Sequence, residues 1–267
     1  NEVSKLTEGK VQYSCLPNLT GGIVDDLLVY CVSPTRYMLV VNASNIAKDW
    51  AWLSQFAPNY EVTMRDASDE TSLIAVQGPL AAKAIQSLTN LDLASMTYYT
   101  FGIGSFSGVE GILVSATGYT GSGGFEIYLP HAHAAAAWEA IMKAGSEFGL
   151  EPIGLGARDT LRLEMGYPLY GNELGHDRSP ISAGLKWACD LKHGGFPGAE
   201  RMQREAAEGT PDRLVAILIT EKGIPRGGCP VMADGQQVGT VTSGTFSPSL
   251  GVGAALAYVS PDHAHVG

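Results

Sequence analysis

The chain has 267 residues, 45% hydrophobic and 16% charged, which is the composition of an ordinary globular protein and enough length for one large domain or two to three small ones. Its 17 basic and 27 acidic residues give a net charge of −10, which argues against a nucleic-acid-binding face but leaves room for a local basic pocket that takes an anionic ligand. No apolar run reaches the ~20 residues of a membrane span, and the four scattered cysteines, Cys15, Cys31, Cys189 and Cys229, lack a C-x-x-C pair and read as free thiols of a reducing cytoplasm.

Residues 11–16 and 23–31 are short apolar runs separated by the turn signal PNLTGG. RYMLVVN (36–42) reads as a third strand. Ser44 is placed to cap a helix over SNIAKDWAWLSQF, with Ile46, Trp50 and Leu53 on one face, and EVTMRDA (61–67) reads as a closing strand. This order suggests an α+β unit. SLIAVQG (72–78) is a strand, and Pro79 suits the first turn of a helix running to about Leu88. Strands are expected at 97–103, 108–118 and 125–130, the last preceded by the glycine-rich GYTGSGG (118–124). A helix over 131–148, capped at Gly149, and another over 155–166 complete a second α+β unit. From about residue 185 the texture is all β: RLVAILIT, PVMADGQQVGTVTSGT and LGVGAALAYV, with Asp234-Gly235 as a hairpin turn. These shifts place domain junctions near 68 and 176. The start at Asn1 and the stop soon after GAALAYV (253–259) suggest a fragment of a longer chain.

GGIVDDLLVY (21–30) opens a strand with two acids. Side chains alternate along a strand, so one of Asp25 and Asp26 is expected to face water and the other to face inward, into a partly dry site where a carboxylate has a tunable pKa. The competing reading is a turn-capping or solvated acid. GYTGSGG lacks the Lys-Ser/Thr ending of a phosphate loop and precedes a strand, so it reads as a hairpin turn. Glu126 alternates with Phe125 and Ile127 and would ordinarily lie on the wet face, becoming functional only if that face lines a cleft. Arg158 shares a helix face with Leu161 and Met165, either as a salt bridge into the core or as an anchor for an anionic or carbonyl-bearing ligand. Asp159, Arg162 and Glu164 read as solvated or paired. None of the six histidines has a partner at metal spacing, so no metal site is expected.

Taken in order, GGIVDDLLVY, LVVNASNIAKDW, ATGYTGSGGFEIYLP, GLGARDTLRLEMGYPLYGNEL and TVTSGTFSPSLG resemble the aminomethyltransferases of the glycine cleavage system, the T-proteins, over nearly the whole chain. The resemblance implies an α+β, three-domain fold around a central channel that holds tetrahydrofolate, ending in an antiparallel β-barrel. The divisions would be 1–68 with the catalytic acid, 69–175 for folate, and 176–267 for the barrel. An upstream segment and the last barrel strands of the family have no counterpart here. The implied reaction moves a methylene carbon from the aminomethyl-dihydrolipoyl arm of the H-protein to tetrahydrofolate, releasing ammonia and leaving 5,10-methylenetetrahydrofolate.

By position, the family's catalytic aspartate falls on Asp26, with Asp25 structural. Its folate-site acid falls on Glu126, and its arginine and tyrosine on Arg158 and Tyr119. Asn42, Tyr13, Tyr30 and Val40 match other channel positions. Tetrahydrofolate is the implied co-substrate, without metal. The lipoylated H-protein is the implied partner, with neither nucleic acid nor membrane, in the cytoplasm. Two alternatives are a folate-dependent demethylase of the same superfamily and a non-catalytic folate-binding assembly factor. The stretch KHGGFPGAE (192–200) lacks the cysteine motif of the latter.

Overall fold

A computed structural model describes residues 1–266. Three antiparallel sheets follow one another along the chain. The first holds β1 (Val11–Pro17), β2 (Ile23–Ser33) and β3 (Arg36–Val40) in sequential order, with β2 central. The second holds β4 (Thr71–Gln77), β5 (Phe101–Phe106), β6 (Val109–Ser115) and β7 (Gly124–Pro130) in the order β4-β7-β6-β5. The third holds β8 (Arg213–Leu218), β9 (Pro230–Ala233), β10 (Gln236–Ser247) and β11 (Val252–Val259) in the order β8-β11-β10-β9.

The helices are α1 (Ile46–Phe56), α2 (Ala81–Ile85), α3 (Ala134–Gly145), α4 (Leu155–Glu164) and α5 (Ala199–Glu208). α2 and α3 cover one face of the second sheet around Ile85, Val114 and Ile127. The other face meets the first sheet through Val11, Tyr30, Phe101, Leu113 and Tyr128. Backbone bonds tie the two sheets as well, from Val11 N to Tyr99 O (2.9 Å) and from Phe101 N to Gly9 O (2.9 Å).

Several expectations need correction. EVTMRDA (61–67) forms no strand. Val62 is 59% exposed and no neighbouring chain offers a ladder, so an apolar alternation without a partner stays irregular. The expected helix from Pro79 contracts to α2 followed by a 3-10 turn over Gln86–Leu88. β5 starts only at Phe101, because Tyr99 takes a left-handed backbone (φ 64°). α5 lies inside the stretch read as all β, where Met202 and Glu205 form its buried face. The 131–148 helix is observed as α3 flanked by 3-10 turns, and Gly149 ends it with φ 72°, as a glycine cap does. Asp234 and Gly235 both take positive φ (49° and 78°), which is the hairpin turn between β9 and β10.

The third sheet is fastened to α4 by the TVTSGTFSPSLG stretch. Ser243 Oγ receives Arg162 Nη2 at 2.9 Å, and Glu164 accepts from Ser247 Oγ, Ser249 N and Ser249 Oγ at 2.5–3.2 Å.

Candidate functional site

β2 is the central strand of its sheet and is covered on both sides. Leu27 and Val29 pack toward Trp52 and Leu53 of α1, while Tyr30 packs toward the second sheet. Neither aspartate therefore faces water, contrary to the expectation that one would. Asp25 is fully buried and Asp26 partly so.

Asp25 points toward the start of α1. It accepts from Asn42 N (3.1 Å), Asn42 Nδ2 (2.8 Å) and Asn45 Nδ2 (2.7 Å). That accounts for the missing Ser44 cap: a 3-10 turn over Ala43–Asn45 precedes α1, and the amide of Asn45, its N-cap residue, serves Asp25 instead of the helix. The helix is also rotated from the expected face. Trp50 is 39% exposed, and Asp49, Trp52 and Leu53 turn toward the sheet.

Asp26 lies on the opposite face of β2. Tyr13 Oη donates to its Oδ2 at 3.0 Å, and Asn42 Nδ2 donates to its Oδ1 at 2.9 Å. Burial pushes the Asp26 carboxyl up to about 6; the Tyr13 hydrogen bond opposes this and the Asp25 charge reinforces it. Burial raises the Tyr13 phenol well above its ordinary value, with the Asp26 charge adding to the effect, so Tyr13 stays a donor. The result is a carboxylate held by two neutral donors, with a proton affinity close to neutrality. Such a group can take or give a proton at physiological pH.

The rest of the predicted set gathers around this acid and on the adjacent sheet. Tyr119 follows β6 in the GYTG turn. Its Oη donates to the Pro168 carbonyl, its ring stacks on Tyr167 at 5.8 Å, and the Arg158 guanidinium sits 4.9 Å from its centroid. Burial raises the Tyr119 phenol, and the charges of Asp26, Arg158, Arg162 and Glu173 all act on it. Glu126 on β7 is only 8% exposed, not on a wet face, because that strand is covered on both sides. Thr117 Oγ1 (2.5 Å) and Tyr128 Oη (3.4 Å) both donate to its Oε2. Tyr30 is fully buried and bonds Tyr128 Oη at 2.9 Å and Thr117 Oγ1 at 3.3 Å, so it braces the threonine and tyrosine that hold Glu126. Val40 packs beside Tyr30.

Arg158 is exposed, whereas the buried arginine of α4 is Arg162 at 0% exposure. Arg162 bonds Asp159, Glu173, Ser243 and the Tyr167 carbonyl. The salt bridge into the core therefore belongs to Arg162, while the Arg158 guanidinium lies over the Tyr119 ring. A cavity of about 230 Å³ lies elsewhere, lined by Ser14, Cys15, Leu27 and Cys189, and holds none of the predicted site residues. Glu2, Asp190 and His193 come together at the surface, where His193 Nδ1 pairs with Asp190 at 2.7 Å. All four cysteines are free.

Sequence reading missed Asp49, which is 1% exposed, and the Arg162–Glu173 pair. The signal for Asp49 was present. It lies three and four residues before Trp52 and Leu53, on the buried stripe of an amphipathic helix.

Two family models match the chain: the GCVT N-terminal domain over residues 1–193 and the glycine cleavage T-protein C-terminal barrel domain over residues 213–267. An aminomethyltransferase of Flavobacterium psychrophilum is 52% identical over 260 residues, covering 97% of this chain and 72% of that protein. One from Bacteroides thetaiotaomicron is 49% identical, covering the whole of this chain and 74% of the relative. The crystal structure of glycine cleavage system aminomethyltransferase T from Bartonella henselae superposes with a TM-score of 0.86 at 32% identity, over 97% of this chain and 70% of that one. Among the described residues no helix is long and apolar enough to cross a membrane.

Proposed function

Because the chain belongs to the glycine cleavage T-protein family, whose members are aminomethyltransferases, we propose that Asp26, Glu126 and Arg158 are the working groups of a tetrahydrofolate-dependent aminomethyl transfer. The one-carbon donor in this reading is the aminomethyl-dihydrolipoyl arm of the H-protein, and the acceptor is tetrahydrofolate. Division into 1–68, 69–175 and 176–267 fits this reading, since each part holds one sheet.

The observation that carries the reading is the setting of Asp26. Its carboxylate is gripped by Tyr13 and Asn42 and has a proton affinity of about 6. A carboxylate so fixed can orient the attacking folate nitrogen and accept its proton. It can also stabilise a cationic, iminium-like carbon without reorganising. Both hydrogen bonds to Glu126 fall on Oε2, so Oε1 remains an acceptor for the amino and N–H edge of a pterin. Arg158, set over the Tyr119 ring, offers a planar donor fork to a carbonyl or carboxylate. Tyr13 places an aromatic ring beside Asp26, where an aromatic ligand can pack against it.

Titration calorimetry with tetrahydrofolate, comparing the chain with Glu126→Ala, tests the folate half of the reading. Binding by the folded wild type that the variant loses supports it, and no binding by the folded wild type overturns it.

A further inference from the structure

Among the described residues, no N–H or O–H reaches either carboxyl oxygen of Asp49, although both oxygens are buried. Asp49 lies one helical turn beyond Asn45, whose amide bonds Asp25 Oδ1 at 2.7 Å, so its carboxyl is on the helix face turned toward Asp25; burial first, and then the Asp25 carboxyl, push its pKa up. Two ionised carboxylates cannot share a dry contact of this kind, so one of them carries a proton. Asp25 already accepts three donors, two from Asn42 and one from Asn45, and an ionised carboxylate suits that arrangement best. The proton therefore belongs to Asp49. The charged groups facing Asp49 are Asp25 and Asp26 from β2 and Lys48 from α1; the two acids disfavour its ionisation and the lysine favours it. Lys48 is itself drawn away, with Nζ 3.7 Å from the centroid of the Tyr170 ring.

Asn42 connects this pair to the other face of the strand. Its single amide nitrogen lies 2.8 Å from Asp25 Oδ1, 2.9 Å from Asp26 Oδ1 and 3.2 Å from the Asp26 carbonyl. With one hydrogen of this amide on Asp25, the other is directed at Asp26, and an ionised Asp25 holds it more strongly than a neutral one would. We propose that Asp49, as a neutral carboxylic acid, donates to Asp25, and that this buried pair acts through Asn42 as the positioning device for Asp26. Asp49 thus keeps three neighbouring aspartates from carrying three charges, and it holds the amide that aims the working carboxylate. This rests on the role given to Asp26 above.

The test uses two variants, Asp49→Asn and Asp49→Leu, and two readouts. In infrared spectra near neutral pH, the wild type is expected to show a protonated-carboxyl C=O band that disappears in Asp49→Asn. This readout needs neither substrate nor activity. In the transfer assay, Asp49→Leu is expected to lower kcat on the order of ten- to a hundredfold, the cost of a slightly misplaced group, with KM for tetrahydrofolate unchanged. Asp49→Asn keeps a donor to Asp25 and is expected to recover most of that loss. It should also keep its rate at alkaline pH, where the wild type declines as Asp49 ionises. Absence of the band, or a folded Asp49→Leu with wild-type kcat and pH profile, overturns the proposal. If Asp49→Leu does not fold, the infrared comparison with Asp49→Asn still decides it. Failure of the Asp26 reading itself would appear separately, as full transfer by Asp26→Asn with the band intact.

Discussion

The Arg162 guanidinium meets the Glu173 carboxylate at 2.9 Å with both side chains almost wholly excluded from water, and the pair joins α4 to the third sheet. Tyr258 Oη of β11 closes the same junction on the Glu173 carbonyl at 2.8 Å. Arg162→Met would leave Glu173 charged, buried and short of its partner. The expected loss is about 3–5 kcal/mol of unfolding free energy, read from urea denaturation. Adding Glu173→Leu should recover much of it, because the uncompensated charge is then gone.

Asp26→Asn keeps shape and removes the base. Transfer is expected to fall roughly a hundredfold or more, with tetrahydrofolate binding retained in calorimetry. In the wild type, kcat/KM should rise with pH through about 6 as Asp26 ionises, and Asp26→Asn should lack that limb. A variant with wild-type rates removes Asp26 from the mechanism.

The same carboxyl sets a stability trend. Its folded pKa lies above its ordinary value of 3.8, at about 6, so the folded state binds more protons than the unfolded state between those limits. Its contribution is fully present below the ordinary value and is lost as pH rises through about 6, at a slope of up to about 1.4 kcal/mol per pH unit. Burial and the Asp25 contact raise Asp49 as well and extend the fall to higher pH. Denaturation at a series of pH values should give a flatter curve for Asp26→Asn than for the wild type over that lower window.

The Arg158 guanidinium lies over the Tyr119 ring, 4.9 Å from its centroid. Arg158→Lys keeps the charge and loses the fork. It is expected to weaken tetrahydrofolate binding on the order of tenfold, one to two hydrogen bonds' worth, without lowering thermal stability. Unchanged affinity would mean that Arg158 does not touch the ligand.

Gly22 precedes β2 at a point where the chain passes under residues 175–176. A Cβ there would stand 1.6 Å from the His176 carbonyl oxygen, and Ile23 N bonds Gly175 O at 3.0 Å. Gly22→Ala must push β2 away from that segment, and Asp26 moves with it. The expected outcome is a lower melting temperature together with a loss of transfer larger than the loss of folate affinity.

The residues themselves determined much of this protein. Alternating apolar runs specified most of the strands, Gly149 and Asp234-Gly235 marked a helix end and a hairpin because only those backbones accept positive φ cheaply, and five ordered motifs identified the family and put Asp26, Glu126 and Arg158 forward. Tertiary structure decided which groups are wet, charged and paired. Local period could not tell that β2 is covered on both faces, so it left one aspartate in water where the fold buries both. It left Arg158 open between a core salt bridge and a ligand anchor, and only the neighbouring Glu173 and Ser243 show that the core salt bridge is made by Arg162. Asp49 drew no reading from the sequence, and its burial follows from the packing of α1 on the first sheet. Protonation and pairing depend on what lies across a gap from a residue, and that neighbour comes from a distant part of the chain.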